Sequence, residues 1–263
     1  MLSVMIEPPG VIRHGINKQS SLDLAQQQEY KCVGMMTQDD RIKGSCVLIH
    51  PRLALTAAHC LVKLRTGEPI YVEFDSISVK VDSFSVHPLY ASNKGADLGI
   101  LYLSTGIKNI SPAKLNRSKH EIGHIGTSVG YGNFSVANNS RDIIDAGRVK
   151  SAGQNMLDSI TGFSLPDHQL PMIYADFDAP DNVSFNRCGS SACLDMEYGL
   201  DGGDSGGGMF ILKGNKYFLA GINALQIKNI ADIMRTGTFY GSASEWVRIS
   251  VFRKWLKGKM RRN

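Results

Sequence analysis

Asp201-Gly202-Gly203-Asp204-Ser205-Gly206-Gly207-Gly208 sets one serine in a run made otherwise only of glycine and aspartate. Such density suits a backbone that turns tightly, is approached closely by another molecule and keeps amide groups free. A nucleophilic serine has all three needs: a carbonyl must reach its Oγ, and the oxygen that becomes charged must meet N–H donors. A glycine-rich surface turn would read similarly, so the stretch takes its meaning from two others upstream.

The first is Leu55-Thr56-Ala57-Ala58-His59-Cys60, where a histidine follows an apolar strand among small residues that leave room for a second side chain. The second is Ala96-Asp97-Leu98-Gly99-Ile100-Leu101-Tyr102-Leu103, which puts a carboxylate at the mouth of an apolar strand. Each has an ordinary structural reading: a histidine satisfied in the core, an aspartate capping a turn. A buried aspartate nevertheless needs a partner, and an imidazole N–H is a natural one. The order His59, Asp97, Ser205, each in a fitting local context, points to nucleophilic acyl transfer.

Outward from these stretches, short β-branched or alternating segments recur between Gly, Pro, Asn and Asp punctuation. Cys46–Ile49, Leu53–Thr56, Ile70–Phe74, Ile77–Val86, Gly99–Leu103, Thr127–Val129, Met172–Phe177, Met209–Leu212 and Tyr217–Asn223 read as strands of an all-β barrel or sandwich. Only Ser250–Lys257 reads as a helix, with Val251 and Trp255, and Phe252 and Leu256, spaced i, i+4. The polar stretch Leu115–Gly126 reads as a connection between two β halves. With 263 residues, 43% hydrophobic and 20% charged, the chain has the composition of a globular protein. Its net charge of +5 is concentrated near the end (Lys254, Lys257, Lys259, Arg261, Arg262), with no aromatic-interleaved basic patch that would suit nucleic acid. No stretch reads as a membrane span or a signal-peptide core. Cys32, Cys46, Cys60, Cys188 and Cys193 have no zinc-ligand spacing, so no metal and no cofactor is expected. Two disulfides with one thiol, or none, both remain open.

These stretches together resemble the trypsin/chymotrypsin family of serine proteases. Thr56–Cys60 is similar to its TAAHC box, Asp97-Leu98 to its DI/DL box and Gly203–Gly207 to its GDSGG box. Val86–Tyr90, Val129–Gly132, Leu219–Ile222 and Trp246–Ser250 with Trp255-Leu256 add weaker likenesses, so the resemblance runs over residues 11 to 257. It implies two six-stranded antiparallel Greek-key β-barrels packed face to face, with a C-terminal α-helix. The first barrel (11–117) would carry His59 and Asp97, the second (118–249) Ser205, with a helix and basic tail over 250–263. The implied roles are Ser205 as nucleophile, His59 as base and then acid, Asp97 as its orienting carboxylate, and the Gly203 and Ser205 amides as oxyanion hole. Protein or peptide substrates, an activating protease and a monomer follow from the same likeness. A secreted or extracytoplasmic location would require a leader removed from this chain; the Asn-x-Ser sequons at Asn116, Asn133, Asn138 and Asn182 are compatible with it.

Departures from the family pattern are as informative. Val11-Ile12-Arg13-His14-Gly15 resembles a mature amino terminus, which implies that a freed amine of Val11 or Ile12 pairs with Asp204 and that residues 1–10 are a propeptide; they would otherwise be a flanking segment. Cys60 keeps the cysteine after the histidine, but Gly44 takes its partner's place, leaving Cys46, two residues on, as an alternative partner. Asp201 replaces a cysteine beside the specificity pocket. Gly199, at the pocket base, takes the place of the aspartate of trypsin-like enzymes, and Gln226 and Ser244 stand where wall glycines are common. That combination implies a narrowed or polar pocket, without a counter-ion for Arg or Lys unless Asp201 or Glu197 moves in. Ala224 replaces a serine that supports the triad aspartate. A non-catalytic binding or regulatory module retaining the fold is the alternative reading. An α/β-hydrolase esterase would need the reverse residue order.

Overall fold

The computed structural model describes residues 10–12, 15–137, 149–161, 170–186, 188–227 and 240–261. In chain order the strands are β1 (Gly10–Ile12), β2 (Val33–Gln38), β3 (Arg41–His50), β4 (Leu53–Thr56), β5 (Ile70–Phe74), β6 (Ile77–Val86), β7 (Gly99–Leu103), β8 (Ile125–Gly130), β9 (Phe134–Val136), β10 (Ser151–Met156), β11 (Ser159–Thr161), β12 (Met172–Asp176), β13 (Tyr198–Gly199), β14 (Gly208–Lys213), β15 (Lys216–Ile227) and β16 (Ala243–Arg248). The α-helices among the described residues are α1 (Lys18–Ala25), α2 (Ala58–Leu61) and α3 (Arg253–Met260).

The first half closes as a six-stranded barrel in the order β2-β3-β4-β7-β6-β5. Period-two alternation drives the closure: Ile70, Val72 and Phe74 of β5 point inward while Tyr71 is exposed. β2 is buried along its whole length because both of its faces are covered. Asp39 and Asp40 both take positive φ in the two-residue turn between β2 and β3, the conformation that keeps the twist of a tight hairpin.

The second half is a seven-stranded sheet ordered β10-β8-β14-β15-β16-β12-β11, all pairs antiparallel. The expected second closed barrel is therefore an open half-barrel among the described residues. β12 spends its outer edge on the short β11 rather than on β10, and the gap is spanned by Asn155 Nδ2, which donates to Asp176 O at 3.4 Å. β1, β9 and β13 form a small third sheet against this half. The chain thus reaches the second half before it builds the first, since α1 also docks there through Ser21 Oγ, which donates to Ala152 O at 2.6 Å.

Sequence reading missed α1. Its amino end is capped by the Asn17 side chain, but it buries only Ser21 and Ala25, too little apolar surface to stand out. The terminal helix begins at Arg253 after a 3-10 turn, and Phe252 and Trp255 pack edge-on against His87. No helix among the described residues is long and apolar enough to cross a membrane. Residues 1–9 of the candidate propeptide, with Arg13, His14 and Asn138, lie outside the described residues.

The five cysteines form no disulfide, which corrects the Cys46–Cys60 alternative. Cys46 sits in the barrel core opposite Gly34, whereas the Cys60 thiol lies over position 44, where a Cβ would be 2.9 Å from its sulfur. The neighbour able to bridge Cys60 is thus a glycine.

A buried ion pair ties the inter-half connection to the chain's end. Glu121, fully buried, accepts from Arg248 Nη2 at 2.6 Å, from Ser250 Oγ at 3.0 Å and from Asn116 Nδ2 at 3.1 Å. Removing one member leaves the other charge buried alone, which costs about 3–5 kcal/mol. Urea unfolding of Glu121→Ala should show that loss, whereas an exposed-site control such as Lys63→Ala should stay within about 0.5 kcal/mol of wild type.

Candidate active site

His59 sits in the single turn α2, directly after β4. Asp97 follows a 3-10 turn capped by the Asn93 side chain, at the entry to β7, which pairs with β4. Neighbouring strands of one barrel therefore deliver the two residues to one spot. Asp97 takes the histidine at two points: Oδ1 accepts the His59 backbone N–H at 2.7 Å and Oδ2 lies 2.5 Å from Nδ1. A carboxylate at Nδ1 makes that nitrogen the donor and leaves Nε2 facing outward with its lone pair. Burial of the imidazole pushes its pKa down, but the bonds to Asp97 and to Cys60 prevail, and the net shift is upward.

The serine loop is locked from below by backbone. Gly206 N–H donates to Asn223 O and Asn223 N–H to Gly207 O, both at 2.9 Å, which fastens the loop to β15. Ser45 N–H, on β3 of the first barrel, donates to Ser205 O at 2.7 Å. Gly206, at φ +88, is so close to this barrel that a Cβ there would meet Ser45 O and Thr56 Oγ1 at 2.2 Å and Ala57 N at 3.0 Å. Ser205 is therefore pressed against the strand end that precedes His59. It is partly exposed, and among the described residues no hydrogen bond engages its Oγ.

The Gly202 carbonyl accepts from Asn133 N at 3.1 Å, and the Gly203 carbonyl accepts from Ser45 Oγ at 2.8 Å. With the Gly202 carbonyl turned toward Asn133, the N–H of Gly203 points to the opposite side of its peptide plane. Among the described residues neither this amide nor that of Ser205 donates a hydrogen bond. The two together offer an empty pair of donors beside the serine.

Gly199, Gln226 and Ser244 also come together. A Cβ at Gly199 would lie 3.5 Å from Gln226 Nε2, and Gln226 pairs with Ser244 across β15 and β16. Ser244 Oγ accepts from Leu200 N at 3.1 Å. The Gln226 amide nitrogen and oxygen are buried with no hydrogen-bond partner among the described residues. Glu197 is turned elsewhere, bonded to Asn155 Nδ2 and Leu194 N at 2.8 Å. Asp201 caps its own loop through Gly202 N.

Asp204 is buried beneath the serine. Its carboxylate accepts from Tyr198 Oη at 2.7 Å, Gly132 N at 3.0 Å and Asp201 N at 3.1 Å. Ile12 is fully buried in β1, where it pairs with Tyr198 on one side and Val136 on the other. Sequence reading overlooked Tyr198 and Ser45. A tyrosine or a serine in a short β segment carries no pattern of its own, and only the fold reveals what these two hold.

Comparison with known proteins agrees with this fold. A family model described as Trypsin matches residues 23–247. Among solved structures the chain is similar to neuropsin, a serine protease expressed in the limbic system of mouse brain. The two share 17% identity at a TM-score of 0.61, over 89% of this chain and 96% of that one, a likeness of fold. No curated protein matches the chain.

A methyl group at position 206 would force the loop off the first barrel. Gly206→Ala should therefore destabilise by more than the usual penalty of about 1 kcal/mol for alanine at positive φ. Thermal melting should read this as a drop of several degrees, and an unchanged Tm would contradict the packing described.

Proposed function

We propose a catalytic reading of this site from one premise: the chain belongs to the trypsin family. The reading is a serine endopeptidase, with Ser205 as nucleophile, His59 as general base and acid, and Asp97 as the carboxylate that orients the imidazole. The observation that carries it is the two-point hold of Asp97 on His59, at the backbone N–H and at Nδ1. A purely structural histidine needs no such double fixation of tautomer and orientation.

In this reading Ser205 Oγ attacks the scissile carbonyl while its proton passes to His59 Nε2. The carbonyl oxygen becomes an oxyanion between the amides of Gly203 and Ser205, a donor pair of which each member is worth about 3 kcal/mol in such sites. The imidazolium, stabilised by Asp97, then protonates the leaving amine, and an ester to Ser205 remains. Water, deprotonated by His59, attacks that ester through a second oxyanion. The acid product leaves, the proton returns to Ser205 and the cycle closes. Substrates are peptides or proteins.

The substrate side chain before the cut would enter beside Gly199, Gln226 and Ser244. Neither Glu197 nor Asp201 supplies a counter-ion at this base, because the first is bonded to Asn155 and the second to Gly202 N of its own loop. The buried Gln226 amide fills part of the space and offers hydrogen bonds, which favours small or uncharged polar side chains over Arg and Lys.

Four outcomes test the reading. Wild-type chain should hydrolyse members of a peptide library and Ser205→Ala none; hydrolysis by neither would instead indicate a binding module, and equal turnover by the two would remove Ser205 as the nucleophile. Asp97→Asn should lower kcat by about 10⁴. Because Asp97 raises the pKa of His59, kcat/KM of wild type should climb with pH through a midpoint above the usual imidazole value of about 6.5, and the residual activity of the asparagine variant should climb through a lower one. Gln226→Gly should raise kcat/KM for bulky side chains relative to small ones, and an unaltered ratio would remove Gln226 from the pocket.

A further inference from the structure

Asp204 presents a problem that the family pattern solves with an ammonium and that this chain meets by other means. The carboxylate is 1% exposed, and a Cβ at Gly130 or Gly132 would come within 2.4 or 2.6 Å of its atoms. Burial pushes its pKa up to about 6, against the hydrogen bonds of Tyr198, Asp201 and Gly132, which favour the charged form. A charge enclosed this tightly requires donors at fixed positions. In a chain continuous through Gly10–Ile12, the nitrogen of Ile12 is a peptide amide within β1, flanked by β13 and β9. It is no ammonium.

The strong donor is instead the hydroxyl of Tyr198, at 2.7 Å. Tyr198 is itself 1% exposed. Its ring lies against Gly153, where a Cβ would be 2.4 Å from the tyrosine Cβ, and its hydroxyl is 3.5 Å from Ser151 Oγ. With the ring confined by β10 and β1, the hydroxyl has one direction to point. What it holds is next to the chemistry: the Asp204 carbonyl receives Gly207 N at 2.8 Å and Asn223 Nδ2 at 3.2 Å, and Ser205 follows directly. In this arrangement the Gly202 carbonyl is already turned to Asn133 and the Gly203 amide is free.

We propose that Tyr198 is a positioning residue that takes the place of a freed amino terminus, holding Asp204 so that the serine loop is competent while the chain is still continuous through residues 10–12. This rests on the catalytic reading above and replaces activation by cleavage with a constitutive internal anchor. pH separates the two anchors. An unpaired α-amine loses its proton near pH 8 and one paired with a carboxylate at a higher pH, so a bridge built on it fails as pH rises through that higher value. The groups acting on the Tyr198 hydroxyl are Asp204 and Asp201, on the loop that follows β13, and neutral Ser151 on β10, while apolar Ile12 of β1 pairs with Tyr198 along the strand. Burial, then the acidic neighbours, push the phenol pKa well above its ordinary value, so this donor keeps its proton through the range in which an α-amine is lost.

The test uses the full chain, shown by intact mass to be continuous across residues 10–12, beside the same chain cleaved so that Val11 or Ile12 carries a free amine. Peptide hydrolysis is followed in both. The continuous chain should be active, with no fall in kcat/KM between about pH 8 and 10. Tyr198→Phe, checked for folding by its melting transition, should lose about 10- to 100-fold in kcat with little change in KM, the worth of one hydrogen bond to a charged group. Should the phenylalanine variant not fold, the pH profile of the continuous wild-type chain decides alone. Activity only in the cleaved form, a fall in kcat/KM of the continuous chain between about pH 8 and 10, or full kcat in folded Tyr198→Phe would each overturn the proposal while leaving the triad intact. Hydrolysis by neither form would overturn the catalytic reading itself, and this proposal with it.

Discussion

A carboxylate without water, Asp204, constrains most of the second half of this molecule. Its oxygens need donors, and these come from a tyrosine on β13, an amide after β8 and an amide of its own loop. Meeting them draws three chain segments to within hydrogen-bond distance of one side chain, and that closeness dictates glycine. A Cβ at 130 or 132 would strike Asp204, one at 203 would strike Gly132, and one at 207 would strike Val129 O. The glycine-rich serine loop and the Gly130-Tyr131-Gly132 turn thus record one constraint seen from two strands.

The first barrel supplies a second constraint. Ser45 on β3 bonds the Ser205 carbonyl through its amide, while its hydroxyl donates to Gly203 O and accepts from Tyr131 N. One buried residue so registers the barrel bearing His59 and Asp97 against the loop bearing Ser205. The glycine at 206 permits the contact, and Thr56, just ahead of the histidine turn, closes it by bonding Ser45 O at 2.8 Å. The geometry between the halves is held by backbone and short side chains, which vary little in conformation. The charged pair Glu121–Arg248 fastens the connecting segment to β16 of the second half.

Much of this was legible in the residues alone. β4, β5, β6 and β7 begin and end at the predicted residues: period-two alternation marks β5 and much of β6, while β4 and β7 are short apolar runs buried on both faces. His59, Asp97 and Ser205 were marked by local context and order. What escaped were features whose signal is relational. α1 buries a serine and an alanine, so its helical period is faint. The open edge of the second half depends on which strand β12 takes as its outer neighbour, a choice that no local pattern encodes. Tyr198 and Ser45 look ordinary until the fold puts a carboxylate and a loop within their reach. The cysteine pairing failed for a geometric reason: shared parity along β3 does not make Cys46 a neighbour of Cys60, whose thiol rests over Gly44.

The proposed nucleophile is the central claim, and a fluorophosphonate tests it most directly, because it reacts with an activated serine regardless of side-chain preference. The full chain would be treated at neutral pH, digested and mapped by mass spectrometry. A single adduct on Ser205, absent from His59→Ala, is the predicted result. No adduct on the folded chain, or one equally abundant without His59, would contradict the catalytic role of the site.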